Sequence, residues 1–270
     1  MSRAAGDSLT IAALAKQVPL AESLQLEDGR LVRAGVGVEM NPYCRRAVAE
    51  GVTLARDTGG TCTVVTLGPP GAEDVLREAV AWGADSGLHA CDAAFAGSDT
   101  LATARALAAV LRAAGPFDLI LLGRNSIDGE TGQVGPELAE LLDLPFASGV
   151  RRLQDKGPVW HLELEHDDGS QEVELALPAV LSVAERLCDT PDDIGASIDG
   201  TRADHKCPLC VRPIHGLRQA LLDDLPAAME APRVARRPEC VLTHRFHQPL
   251  LHSQSSAFVE FPGRVAHEIG

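Results

Sequence analysis

The stretch FDLILLGRNSIDGETGQVGPELAEL, Phe117 to Leu141, changes character twice along its length. Phe117–Leu122 is apolar but for Asp118, which suits a strand buried on both faces of a parallel sheet. Small and polar residues with evenly spaced glycines follow. Pro136 then offers the fixed φ of a first helical position, and Leu138, Leu141 and Leu142 fall on one helical face. Strand, glycine-rich loop and helix N-terminus together make a place for an anion, above all phosphate. The spacing matches neither G-x-G-x-x-G nor G-x-x-x-x-G-K-[ST], so glycines that only serve turns remain the alternative. Asp128 and Glu130 lie in the loop and would repel a phosphate unless they face a ribose hydroxyl or solvent.

Working outward, apolar runs alternate with amphipathic segments from Leu9 to Leu122. LTIAALAK, Leu9–Lys16, reads as a buried first strand, although it also imitates a short signal-peptide core. Asn41 caps and Pro42 opens a helix whose Val48, Val52 and Ala55 share a face before Gly59 and Gly60 stop it. TCTVVTLG, Thr61–Gly68, is the next strand. Ala72, Val75, Leu76, Ala79 and Val80 give a helix, and Ala104, Leu107, Ala108 and Leu111 give another. The predicted fold is therefore α/β: a Rossmann-like parallel sheet with helices on both faces, whose ligands lie beyond the carboxyl ends of the strands.

Past Leu144 the period becomes two. Trp160, Leu162 and Leu164 alternate with polar residues, Asp167-Asp168-Gly169 turns the chain, and Val173, Leu175 and Leu177 alternate again. This predicts a hairpin packed on the same core, with LPAVLSVAERL, Leu177–Leu187, as the last strand. Beyond it only Leu217–Leu225 looks helical. The predicted division is a nucleotide-binding domain with a hairpin extension over 1–187 and a partner-binding arm and tail over 188–270.

The formal net charge of −14 disfavours nucleic acid and anionic membrane as partners. No apolar run approaches the roughly 20 residues that span a bilayer. Seven cysteines, an odd number scattered through an α/β pattern, argue against a disulfide framework and for the cytoplasm.

With the glycine-rich loop, NPYCRRAVAEGVTLARD (Asn41–Asp57), LREAVAWGAD (Leu76–Asp85) and Leu177–Leu187 in hand and in order, the chain resembles the β subunit of electron transfer flavoproteins (the FixA family) over Leu9 to about Leu187. The resemblance implies an electron-carrier subunit without catalytic residues of its own, paired with an α subunit that carries the electron-transferring FAD. It implies that electrons pass from a dehydrogenase to an acceptor, and that this subunit holds an adenine nucleotide, AMP or a second FAD. The matching nucleotide-contacting segments are Ala15 and Lys16; Asn41, Pro42, Tyr43 and Cys44; Thr66, Leu67 and Gly68; and the loop itself. In the loop the matches run from Gly123, Arg124, Asn125 and Ser126 through Ile127, Asp128, Gly129 and Glu130 to Thr131, Gly132, Gln133 and Val134. Asn41 is expected both to cap its helix and to meet the base or sugar, and Asp128 or Glu130 to meet ribose hydroxyls. Cys44 is expected to be a packed residue. IDGETGQVGP is nearer the form of the loop found with a second FAD, since Gly129 and Gly132 leave room for a larger ligand.

Two departures accompany the resemblance. Leu20 stands where the family commonly has Asp. The segment from Cys188 to Pro213 lacks the leucine anchor and basic run of the family's arm, which implies a partner other than a typical acyl-CoA dehydrogenase. Within the arm, Cys207 and Cys210 form C-x-x-C, and Cys240 and His244 form C-x-x-x-H. Together these permit a tetrahedral zinc site, the alternative being unrelated thiols. Two other functions share the fold: an ATP-using enzyme of the adenine nucleotide hydrolase-like fold, and a nucleotide-sensing module without redox function.

Overall fold

The computed structural model describes residues 4–188, apart from 25, 29, 32–34 and 186. The zinc candidates Cys207, Cys210, Cys240 and His244, and the whole predicted arm after Cys188, lie outside the described residues.

The chain runs β1 (Thr10–Ala15), β2 (Gln17–Pro19), β3 (Leu26–Glu27), β4 (Arg30–Leu31), β5 (Val38–Met40), α1 (Pro42–Thr58), β6 (Thr61–Leu67), α2 (Glu73–Trp82), β7 (Ser86–Ala90), α3 (Thr100–Ala114), β8 (Leu119–Gly123), α4 (Val134–Leu142), β9 (Phe146–Asp155), β10 (Trp160–His166), β11 (Gly169–Leu175) and β12 (Ala179–Val183). Eight strands form one sheet in the order β11-β10-β9-β12-β8-β1-β6-β7. The pairs from β9 to β7 are parallel and the hairpin strands are antiparallel.

Alternation along the central strands explains the layers. Ile11, Ala13 and Ala15 of β1 and Leu119 and Leu121 of β8 pack with Val48 of α1 and Leu76 of α2. Ala12, Leu14, Ile120 and Leu122, pointing the other way, pack with Leu107 of α3 and Leu138 of α4. The expected doubly covered parallel sheet is therefore present. Helix α1 ends where Gly59 takes the left-handed conformation, at φ 65°. Helix α3 starts where the Asp99 carboxylate accepts from the Ala102 N–H at 2.8 Å.

As expected, the hairpin packs on the same core, with Trp160, Leu162, Leu164 and Leu175 inside it; it also extends the main sheet through the ten-residue strand β9, whose irregular burial and register shift hide it from a period-two reading. Three expectations are corrected. Helix α4 begins at Val134, so Pro136 is its third residue, where an N–H would still lack an intrahelical acceptor. The last strand is Ala179–Val183, and it inserts between β9 and β8. Although Asn41 occupies the cap position of α1, its side chain does not cap that helix.

Candidate functional site

Strand order decides where the crevice opens. From β1 the chain steps outward to β6 and β7, then returns to place β8 on the other side of β1. Loops leaving the carboxyl ends of β1 and β8 therefore diverge at a switch point, the usual ligand position in such sheets. The segment after β1 carries Lys16, and the loop after β8 is 124–133.

Asn41 joins these segments. It is wholly buried, and its own N–H donates to the Lys16 carbonyl at 2.8 Å. Its side-chain Nδ2 donates to the Asn125 carbonyl at 2.8 Å, and to Cys44 Sγ at 3.2 Å. Its Oδ1 accepts from the Ile127 N–H at 3.3 Å. Pairing to the loop on both sides of the amide makes Asn41 a holder of the loop. Cys44 is the packed residue foreseen, its thiol pushed up by burial and hence poorly nucleophilic.

Lys16 makes the second tether. Its Nζ lies 2.6 Å from Asp128 Oδ1 and donates to Ser126 Oγ at 3.3 Å. The Asp128 side chain is wholly buried, whereas that of Lys16 is 43% exposed. Asp128 therefore faces an ammonium group. The Ser126 carbonyl accepts the N–H groups of Gly129 and Glu130, at 3.3 and 2.8 Å, turning the chain.

Beyond this turn the loop is exposed, from Gly129 to Gln133. Glu130 and Gly132 both have positive φ, 49° and 62°, which glycine tolerates and glutamate resists. The N–H groups of Thr131 and Gly132 have no acceptor among the described residues. At the base, Gly123 is needed for close approach, because a Cβ there would lie 2.6 Å from the Tyr43 carbonyl carbon at the start of α1.

The remaining candidates also gather at these strand ends. Ala15 and Thr66 are register partners, and Gln17 Nε2 donates to the Gly71 carbonyl at 2.8 Å, holding the turn that follows Leu67 and Gly68 beside β1. Tyr43, in the first turn of α1, is held protonated to higher pH by burial and by a hydrogen bond to Glu185, with Glu130 adding to the shift and Arg124 opposing it. Glu185, just past β12, carries no pattern that marks it in the sequence. Leu20 lies apart, its N–H donating to the Gly37 carbonyl at 2.9 Å at the foot of the β2–β5 ribbon. Among the described residues no group of three or more His, Cys, Asp or Glu side chains is arranged to hold a metal ion.

Thr66 Oγ1 and Asn125 Oδ1 are buried here and have no hydrogen-bond partner among the described residues. Buried polar atoms are rarely left so unless something polar comes to meet them. Free N–H groups at the rim, orphaned acceptors in the walls and a half-buried aromatic ring suit a nucleotide, with its phosphate, sugar and flat base.

Comparison with known proteins meets this arrangement. The model of the electron transfer flavoprotein domain matches residues 28–205. The chain belongs to the electron transfer flavoprotein β-subunit family. The β subunit from Thermoanaerobacterium thermosaccharolyticum is 38% identical over 181 residues, covering 66% of this chain and 69% of that protein. Protein FixA of Azotobacter vinelandii is 40% identical over 178 residues, 63% of each chain. The CarD subunit of the caffeyl-CoA reductase–Etf complex of Acetobacterium woodii is 36% identical over 186 residues, covering 67% of this chain and 70% of that protein. An electron-transfer role comes with the family. Among the described residues no helix is long and apolar enough to cross a membrane.

Proposed function

We propose that the chain is the β subunit of a heterodimeric electron transfer flavoprotein, and that the crevice between β1 and β8 holds an adenine nucleotide, AMP or a second FAD. The carrying observation is that four strand-end and helix-start segments are tied together at the carboxyl ends of the strands, and that Thr66 Oγ1 and Asn125 Oδ1 on two of them are buried without a hydrogen-bond partner among the described residues. In this reading the N–H groups of Thr131 and Gly132 receive phosphate, while Thr66 and Asn125 receive polar groups of the base or sugar. Asn41 and Lys16 hold the loop in the shape that allows this.

FAD supplies reversible electron uptake when bound; this chain's residues bind, orient and enclose. Tyr43 and Arg124 at the mouth of the crevice face the α partner, whose FAD takes electrons from a dehydrogenase and passes them to an acceptor. Residues 1–187 form the nucleotide-binding domain and 188–270 the partner-binding arm. The complex works in the cytoplasm, consistent with Cys44, Cys62 and Cys91 all lying outside disulfides. An ATP-using enzyme would want a phosphate-gripping glycine loop after the first strand, and here β1 leads through Lys16 straight into β2. Co-expression with a neighbouring α-type subunit, followed by an absorbance spectrum and extraction of nucleotide, tests the assignment. A partner carrying flavin and an adenine nucleotide recovered with this chain are expected; a chain that copurifies with neither refutes it.

A further inference from the structure

The loop proposed to receive phosphate contains two carboxylates, and the structure treats them differently. Glu130 is at the exposed tip, where water screens its charge. The Asp128 side chain is wholly buried at the base, where a charge is screened little and would repel an anion held on the same loop. The Lys16 ammonium meets Asp128 at 2.6 Å and uses a second donor on Ser126 at 3.3 Å. It arrives from the end of β1, a chain segment remote from the loop in sequence and on the other side of the switch point.

We infer that Lys16 is a positioning residue that cancels the charge of Asp128 beneath the loop, so that the site accepts an anionic nucleotide; this rests on the nucleotide reading of the crevice. A buried carboxylate without a cation would push phosphate away however well the N–H groups were aimed. With Lys16 in place the charge of Asp128 is met by an ammonium group, and the donors of Thr131 and Gly132 face the ligand. The competing role for Lys16 is mechanical, a tie between β1 and the loop that matters equally for any ligand.

The two roles separate on the charge of the ligand. AMP and adenosine share base and sugar, and only AMP carries phosphate. Each is titrated into nucleotide-depleted complex formed by this chain and its co-expressed α-type partner. In Lys16→Met the affinity for AMP should fall relative to adenosine by roughly tenfold or more. In Asp128→Asn, close in shape and still able to accept from Lys16, the preference for AMP should rise several-fold, because an uncancelled ammonium remains. The opposite signs are the signature, and Asp128→Asn carries the test alone if Lys16→Met does not fold. Equal losses for both ligands in both variants would overturn the inference while leaving the site reading intact. Wild-type complex that binds neither AMP nor adenosine would overturn the site reading and this inference with it.

Discussion

The base and the tip of the loop after β8 are neighbours in sequence and opposites in structure. At the base, Asn125, Ile127 and Asp128 are tied to Asn41 and Lys16 by short bonds from two other chain segments. At the tip, Gly129 to Gln133 are exposed, two of them with positive φ. The base is held to the fold by bonds from other segments; at the tip the N–H groups of Thr131 and Gly132 have no acceptor among the described residues. A binding loop needs both, since donors aim at a ligand only if the backbone that carries them is already held.

Breaking the base should have the largest effect. Asn41→Leu removes three hydrogen bonds in a wholly buried site and strands the Asn125 carbonyl and the Ile127 N–H. The expected loss of stability is about 2–4 kcal/mol, read by denaturant unfolding of the complex, with bound nucleotide lost as well. A variant as stable as wild type would place the loop's support elsewhere.

Gly132→Val disturbs only the tip. At φ 62° a β-branched residue is strained by about 1–2 kcal/mol. A Cβ there meets nothing closer than the Arg124 carbonyl at 3.5 Å, so the fold should persist by circular dichroism while nucleotide content falls several-fold. Unchanged content in a well-folded variant would make the tip a mere connection.

Glu130→Gly works in the opposite direction. Glutamate at φ 49° is strained, and glycine relieves this while adding freedom to the unfolded chain, so a net gain of up to about 1 kcal/mol is expected. A loss seen by thermal unfolding would mean that the carboxylate makes a stabilising contact.

The smallest effect concerns pH. Tyr43 is the only tyrosine in the chain, and burial together with Glu185 raises its pKa. A raised folded-state pKa means that the stabilisation is complete below the ordinary tyrosine value and is lost as pH rises through the folded one. The difference in phenolate absorbance between wild-type and Tyr43→Phe complexes should therefore titrate above the value of free tyrosine. Titration at or below that value would remove Tyr43 from the protected mouth of the crevice.

The same contrast shows what was legible in the sequence. β1, α1, α2, α3 and β8 announce themselves through apolar periodicity, and the glycine loop through composition, because these are local signals. The insertion of β12 between β9 and β8 is a matter of strand order, which periodicity does not encode. Asn41 before Pro42 reads as a cap whichever way its amide turns, and only the folded chain shows it turned to the loop. Lys16 and Asp128 lie 112 residues apart, so the sequence does not pair them and leaves Asp128, like Glu130, to face a ribose hydroxyl or solvent. Tips can be read from residue types; bases depend on what the topology brings near.

The most direct test of the whole account is the nucleotide released on denaturing the purified complex of this chain with its α-type partner, wild type beside Gly132→Val. The account predicts AMP or FAD beyond the flavin of the partner, equimolar with this chain in wild type and several-fold lower in the variant at equal folding. No adenine nucleotide beyond the partner's flavin in wild type, or the same amount in both proteins, would contradict it.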